Sequence, residues 1–150
     1  MPYRSEKEAR AFYKRWKVPV FTFCRIFLGD EQRAQDVALE GFLAYFRGDH
    51  PLELTQLPDP LLRCVLESAR NQCAPGRLQQ VDAKGLEVAL LTLPCEQRAV
   101  FILRNVLGVP DKSVAIATGF TPERVRELWV QGLFRLRNLL PENSFKEHVR

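Results

Sequence analysis

Residues 111–137 read DKSVAIATGFTPERVRELWVQGLFRLR, and the two helical patterns inside this stretch decide the fold. Residues 113–118 form a short apolar-rich pattern, with Val114, Ala115 and Ala117 available for packing. Gly119 ends it, because a residue without Cβ takes a left-handed C-cap at little cost. Thr121 then offers a hydroxyl N-cap, and Pro122 stands at the first helical position, where its missing N–H removes no bond. The second helix is expected to run from Pro122 to about residue 140 and to stop at Pro141. A short helix, a glycine turn and a longer capped helix make a helix-turn-helix, which in DNA-binding proteins lays its second helix in the major groove. The same pattern also describes an ordinary helical hairpin within a core.

Moving outward, the 150-residue chain is long enough to bury a core as one domain or two small ones. Its 46% hydrophobic and 27% charged content are those of a globular protein. A net charge of +4 permits a polyanionic partner without requiring one. No apolar run reaches the roughly 20 residues of a membrane span, and the charged N-terminus lacks the apolar centre of a signal peptide, so a cytoplasmic protein without membrane insertion is expected. Cys24, Cys64, Cys73 and Cys95 are widely spaced, with no CxxC and only His50 and His148 to assist. That spacing argues against a metal site and leads to an expectation of buried, reduced thiols.

Strand signals are nearly absent, so the chain reads as all-α. Ser5-Glu6-Lys7-Glu8 is a capping box opening a helix that carries Phe12, Tyr13 and Trp16. Pro19 is expected to interrupt it before an aromatic segment, 20–28. Gly29-Asp30 closes that segment and caps a helix over 31–47, ended by Gly48. A polar, proline-marked loop covers about 49–59, and Asp59-Pro60 is read as N-cap and first position of a helix over 61–73. Residues 74–84, APGRLQQVDAK, have a Pro-Gly break and little apolar content. The expected organisation is a first module over 1–74, a linker over 75–84, a second module over 85–141 and a tail over 142–150. The second module holds helices over 85–91 and 94–107, then the helix-turn-helix.

Two helix faces exceed the needs of a core. In 31–47, Ala34, Val37, Ala38, Gly41, Phe42 and Tyr45 share one face, while Leu39, Leu43 and Phe46 widen the apolar arc. The polar strip is left to Arg33, Asp36, Glu40 and Arg47. Either this helix is central and buried on two sides, or part of its surface receives another protein. In the last helix, Val125, Leu128, Trp129, Gly132, Leu136 and Leu139 form the core stripe. The other side carries Arg124, Arg126, Glu127, Gln131, Arg135 and Arg137, whose arginines suit phosphates or guanine edges, together with Val130 and Phe134.

With both modules on the page, the chain resembles a bacterial RNA polymerase sigma factor of the extracytoplasmic-function (ECF) type, over about residues 9–140. FYKRWKVPVFTFCRIFLGDEQRAQDVALEGFLAYF looks like sigma region 2, with a D-V-x-x-E-x-F-L pattern at Asp36, Val37, Glu40, Phe42 and Leu43. LLRCVLESARNQC looks like the later part of that region, with the A-R-N triplet at Ala69, Arg70 and Asn71. LEVALLTLPCEQRAVFILRNVLG and the helix-turn-helix look like region 4. Its L-P-x-x-x-R and L-R-x-x-x-G signatures stand at Leu93, Pro94, Arg98, Leu103, Arg104 and Gly108.

The resemblance implies a transcription initiation factor with no catalytic residue set and no cofactor. Its partners would be core RNA polymerase (the beta-prime clamp and beta flap), promoter DNA and an anti-sigma factor. Arg33, Asp36, Leu39, Glu40 and Leu43 would meet polymerase. Arg63, Arg70 and Asn71 would meet the minus-ten element. Thr121, Pro122, Glu123, Arg124, Arg126, Glu127, Val130 and Gln131 would meet the minus-thirty-five element. Leu39 stands where the family usually has glutamine, and Gly41 replaces a common threonine. Gln72, Cys73, Ala74 and Pro75 replace the basic run that follows A-R-N. In the last helix, positions often basic in the family are Leu128, Val130 and Gln131. The alternative is a sigma-like regulator that binds polymerase or an anti-sigma-type partner without reading promoter DNA.

Overall fold

The apolar positions Phe12, Trp16, Val20, Phe23, Cys24 and Phe27 keep helical spacing straight through Pro19, and they shape the first element. The computed structural model describes residues 5–73 and 85–139. In it, helix α1 runs unbroken over Glu6–Leu28, so the expected interruption at Pro19 does not occur. A proline inside a helix costs about 3 kcal/mol. Burying even two or three large apolar side chains on the far side of it offsets that, at about 1.5–3 kcal/mol each, and Val20, Phe23, Ile26 and Phe27 are all buried. The capping box forms as read, with Ser5 Oγ accepting from the Glu8 N–H at 3.1 Å.

Helix α2 spans Glu31–Arg47, N-capped by the Asp30 carboxylate, which accepts from the Arg33 N–H at 3.0 Å. Its buried face is Ala34, Val37, Ala38, Gly41, Phe42 and Tyr45, the stripe expected from the sequence. Phe12 stacks on Tyr45 at 5.0 Å between ring centroids. The loop that follows is pinned to this end of the bundle by three side-chain donors. Tyr45 Oη donates to the Pro51 carbonyl at 2.6 Å, Trp16 Nε1 to that of Glu53 at 2.7 Å, and Arg15 Nε to that of Leu54 at 3.0 Å.

Helix α3 covers Asp59–Gln72. Its N-cap is Pro58 and no side chain caps it, so Asp59 is already helical and acts through its charge in the first turn rather than as a cap. Gly41 lets α2 and α3 approach closely. A Cβ there would lie 2.8 Å from Val65 Cγ2 and 3.0 Å from Val65 Cα. A larger side chain at 41 would press on the Val65 backbone as well as its methyl group.

The remaining elements are α4 (Leu86–Leu90), α5 (Cys95–Phe101), a π turn (Ile102–Val106), α6 (Asp111–Thr118) and α7 (Pro122–Leu139). Every regular element among the described residues is helical, so the protein is all-α. The expected linker 75–84 and tail 142–150 lie outside the described residues. The single helix expected over 94–107 is instead α5 continued by the π turn, where the Leu107 N–H bonds back to the Ile102 carbonyl at 3.0 Å. Gly108, at φ 67°, then turns the chain so that the Val109 N–H reaches the Leu103 carbonyl at 2.8 Å.

One buried cluster runs through α1–α3 and α4–α7 alike. At its centre is Arg98, 2% exposed and among the largest fully buried side chains. Its guanidinium donates to the Phe27 carbonyl at the end of α1 at 2.6 Å, and to those of Leu91 and Leu93 at 3.0 and 2.9 Å. Burial lowers its pKa to about 10, which leaves it charged at neutral pH. Gly29, at φ 72°, sits against the Leu91 side chain, whose methyl groups a Cβ there would meet at 2.7 and 2.9 Å, and Arg25 pairs with Glu87 at 2.6 Å.

The cysteines depart from the sequence reading. Cys24 and Cys64 are free, but Cys73 and Cys95 form a disulfide with Cα atoms 6.4 Å apart. Packing brings the end of α3 to the start of α5. A pairing made by tertiary contact leaves no mark in residue spacing, which is why reduced thiols were expected.

Replacing Arg98 by Met should leave the buried carbonyls of Phe27 and Leu93 unpaired and cost roughly 2–5 kcal/mol. The urea midpoint measures this; a loss under about 0.5 kcal/mol, the size of an ordinary surface change, would show that Arg98 is not central.

Candidate nucleic-acid interface and protein-docking face

Helices α6 and α7 form the helix-turn-helix that the sequence suggests. Gly119 takes φ 81° and its N–H bonds to the Ala115 carbonyl at 2.9 Å. Thr118 Oγ1 donates to the Val114 carbonyl at 2.8 Å and accepts from the Phe120 N–H at 3.2 Å, bracing the turn. Thr121 Oγ1 accepts from the Arg124 N–H at 3.1 Å, the N-cap read from the sequence. The angle between the two helices is set from outside them. Arg104 pairs with Asp111 at 3.4 Å and lies 4.0 Å over the Trp129 ring, whose Nε1 donates to Asn105 Oδ1 at 2.6 Å. The π turn places Arg104 and Asn105 for both contacts.

On α7, Val125, Leu128, Gly132 and Leu136 are buried, Trp129 is half-buried, and Leu139, expected in the core stripe, is exposed. Thr121, Pro122, Glu123, Arg126, Glu127, Val130 and Gln131 are all exposed, so the face read as groove-facing is presented to solvent. Its electrostatics are mixed. Arg124 is half-buried, pairs tightly with Glu127 one turn on, and lies 3.8 Å from Glu96 of α5. Glu123 and Glu127 match the charges of Arg124 and Arg126 one for one. Gln131 Oε1 accepts from Gln97 Nε2 at 3.2 Å. Val130 is 37% exposed and Phe134 63%, an apolar pair one turn apart.

Arg63, Arg70 and Asn71 lie on the exposed side of α3. Arg63 is 4.0 Å from Glu67. Arg70 reaches instead into the helix-turn-helix, where its Nη2 donates to the Thr118 carbonyl at 3.2 Å and its guanidinium sits 5.5 Å from the Phe120 ring. The cation read as a DNA contact therefore braces α3 against the α6–α7 turn.

The second face is on α2. Leu39 and Leu43, one turn apart, are 52% and 45% exposed, and Arg33, Asp36 and Glu40 around them are exposed too. Leu39 borders a cleft of about 460 Å³ between α1 and α2, floored by Ala38 and Phe42 and rimmed by Tyr13, Lys17 and Val18. Tyr13 and Val18 belong to this surface, and the sequence reading did not include them. They sit off the α1 core stripe, which was the available signal. The exposed apolar side chains and the cleft suit a protein partner.

Among the described residues no three His, Cys, Asp or Glu side chains come together as a metal site, and no helix is long and apolar enough to cross a membrane. Freeing Arg124 tests the reading face. The double change E96Q/E127Q removes both of its carboxylate partners, and heparin affinity should rise and depend more steeply on salt, by about 0.9 in log–log slope for one added phosphate-type contact. An unchanged slope would show that this face does not meet polyanions. No family model matches the chain, and no curated protein matches it.

Proposed function

We propose that this protein is a transcription initiation factor of the sigma type, binding core RNA polymerase and directing it to promoters. The observation that carries this reading is the pairing of two surfaces in one all-α chain. A capped helix-turn-helix presents the outer side of α7, and α2 presents Leu39 and Leu43 in the setting where the D-V-x-x-E-x-F-L pattern stands. In this reading, Leu39 and Leu43 seat against the polymerase clamp, with Arg33, Asp36 and Glu40 as a polar rim. Helix α7 enters the major groove of the minus-thirty-five element, and Arg126 is its first base-contacting cation, since Arg124 is held by Glu127 and Glu96. Arg63, Arg70 and Asn71 face the minus-ten element once Arg70 leaves Thr118.

A second reading is supported by the same charges. With Arg124 and Arg70 both engaged inside the chain, a regulator that binds polymerase or an anti-sigma-type partner without reading DNA needs no rearrangement at all.

Run-off transcription with core polymerase and a promoter library separates the two. The sigma reading expects defined transcripts, and their absence alongside an active control factor would sink it. L39E and L43E should each weaken co-purification with core polymerase by about 30-fold or more, as buried apolar anchors worth at least about 2 kcal/mol do. R126A should cost about 1–3 kcal/mol of promoter affinity in a gel shift if it grips a guanine; equal affinity would remove it from the interface.

A further inference from the structure

Helix α7 exposes an apolar pair, Val130 and Phe134, and Phe134 is the most exposed aromatic side chain among the described residues, at 63%. The pair does not stand alone. Glu123, Glu127, Val130, Phe134 and Arg137 succeed one another at alternating steps of four and three residues, and all are exposed. At about 100° per residue they lie within about 40° of one line, on the side of α7 opposite the buried Gly132. That is the seam spacing of two helices packed side by side.

We propose that a second copy of this chain covers this stripe, with the two α7 helices antiparallel about a two-fold axis between Val130 and Phe134. The order of residues along the stripe selects both the occupant and its direction. It is acidic toward its N-terminal end, apolar in the middle and basic toward its C-terminal end. Antiparallel pairing sets Val130 against the partner's Phe134 and Glu127 against the partner's Arg137, each twice by symmetry. Parallel pairing would instead set glutamate against glutamate and arginine against arginine. A two-fold interface needs a self-complementary patch, and a stripe whose two ends carry opposite charge is one. Glu127 and Arg137 stand about 15 Å apart along the axis, so the two ion pairs close the ends of an apolar centre. Arg124 takes Oε1 of Glu127, and among the described residues the second carboxylate oxygen is left for the partner's Arg137.

The pairing stands without any reading of α7 as a DNA helix. Its consequence rests on the sigma-type reading above. The stripe runs through the face read as groove-facing, which includes Glu123, Glu127 and Val130, so a paired α7 cannot enter a major groove. The dimer is then a closed form that DNA must open. An interface made of one helix face belongs with the small, transient class, below about 1,200 Å², so concentration controls the exchange.

Sedimentation equilibrium of the full chain across about 1 μM to 1 mM should show a monomer–dimer equilibrium. F134E, E127R and R137E should each weaken it by about tenfold or more, because each puts charge into the apolar centre or like charges face to face. Circular dichroism checks that these surface variants keep the fold. The decisive arm is E127R/R137E, which exchanges the two charges and should restore the wild-type constant to within about threefold. A chain that stays monomeric over the whole range, single changes without effect, or a charge exchange that fails to restore association would each overturn the pairing. Random-sequence duplex DNA at low salt tests the consequence. Loss of dimer as DNA binds supports it, whereas DNA bound by an intact dimer would overturn the exclusion and leave both the pairing and the sigma reading standing. A dimer with no DNA bound by either the wild type or F134E would support the pairing and count against the sigma reading.

Discussion

A single buried guanidinium holds this fold in register. Helix α1 ends with carbonyl groups that have no partner within the helix, and its dipole places partial negative charge there. Arg98 meets both needs by donating to Phe27 at that end and to Leu91 and Leu93 in the turn before α5. Burying a charge is costly when it is left unpaired and tolerable when its protons are used. Here burial lowers the pKa to about 10, well above neutrality, so the charge is retained. Apolar packing between α1 and the α4–α5 turn sets proximity, and the directional bonds of Arg98 add register. The Leu93-Pro94-x-x-x-Arg98 pattern is thus a structural device in this chain.

What the sequence made legible was whatever is encoded within one helix. The α2 stripe, the Ser5–Glu8 box, the Gly119 turn and the Thr121 cap are local, and each appears as read. The departures have a common cause in packing between elements. Pro19 looks like a break in any short window, yet the core stripe on both sides of it outweighs the missing bond. Gly41 looks like a lost side chain until Val65 is set against it. The Cys73–Cys95 bond and the Arg70 contact with Thr118 depend on where α3 meets the later helices, and no spacing rule carries that information.

The charges around the helix-turn-helix follow the same division. Counting residues along α7 finds arginines on its outer side, but their partners come from α5 and from the next turn. Glu96 and Glu127 converge on Arg124, so the positive charge that counts for a phosphate is smaller than the number of arginines suggests. Exposed pairs of this kind contribute little to stability, about 1 kcal/mol or less. Their effect falls on recognition, by lowering the potential of the face, and a strong polyanion can compete for Arg124 at modest cost. Arg126 has no such competitor among the described residues, which makes the first turn of α7 depend on one cation.

The two candidate surfaces differ in what must be broken before they can be used. A partner that seats on Leu39 and Leu43 meets side chains already exposed and displaces only water. A ligand for Arg70 must first take the guanidinium from the Thr118 carbonyl and the Phe120 ring, and so must loosen α3 from α6. Contact at α2 is therefore available in the closed arrangement, while contact at the end of α3 is conditional on its opening. That ordering follows from which side chains are already engaged: Leu39 and Leu43 are exposed, while Arg70 is held at the α6–α7 turn.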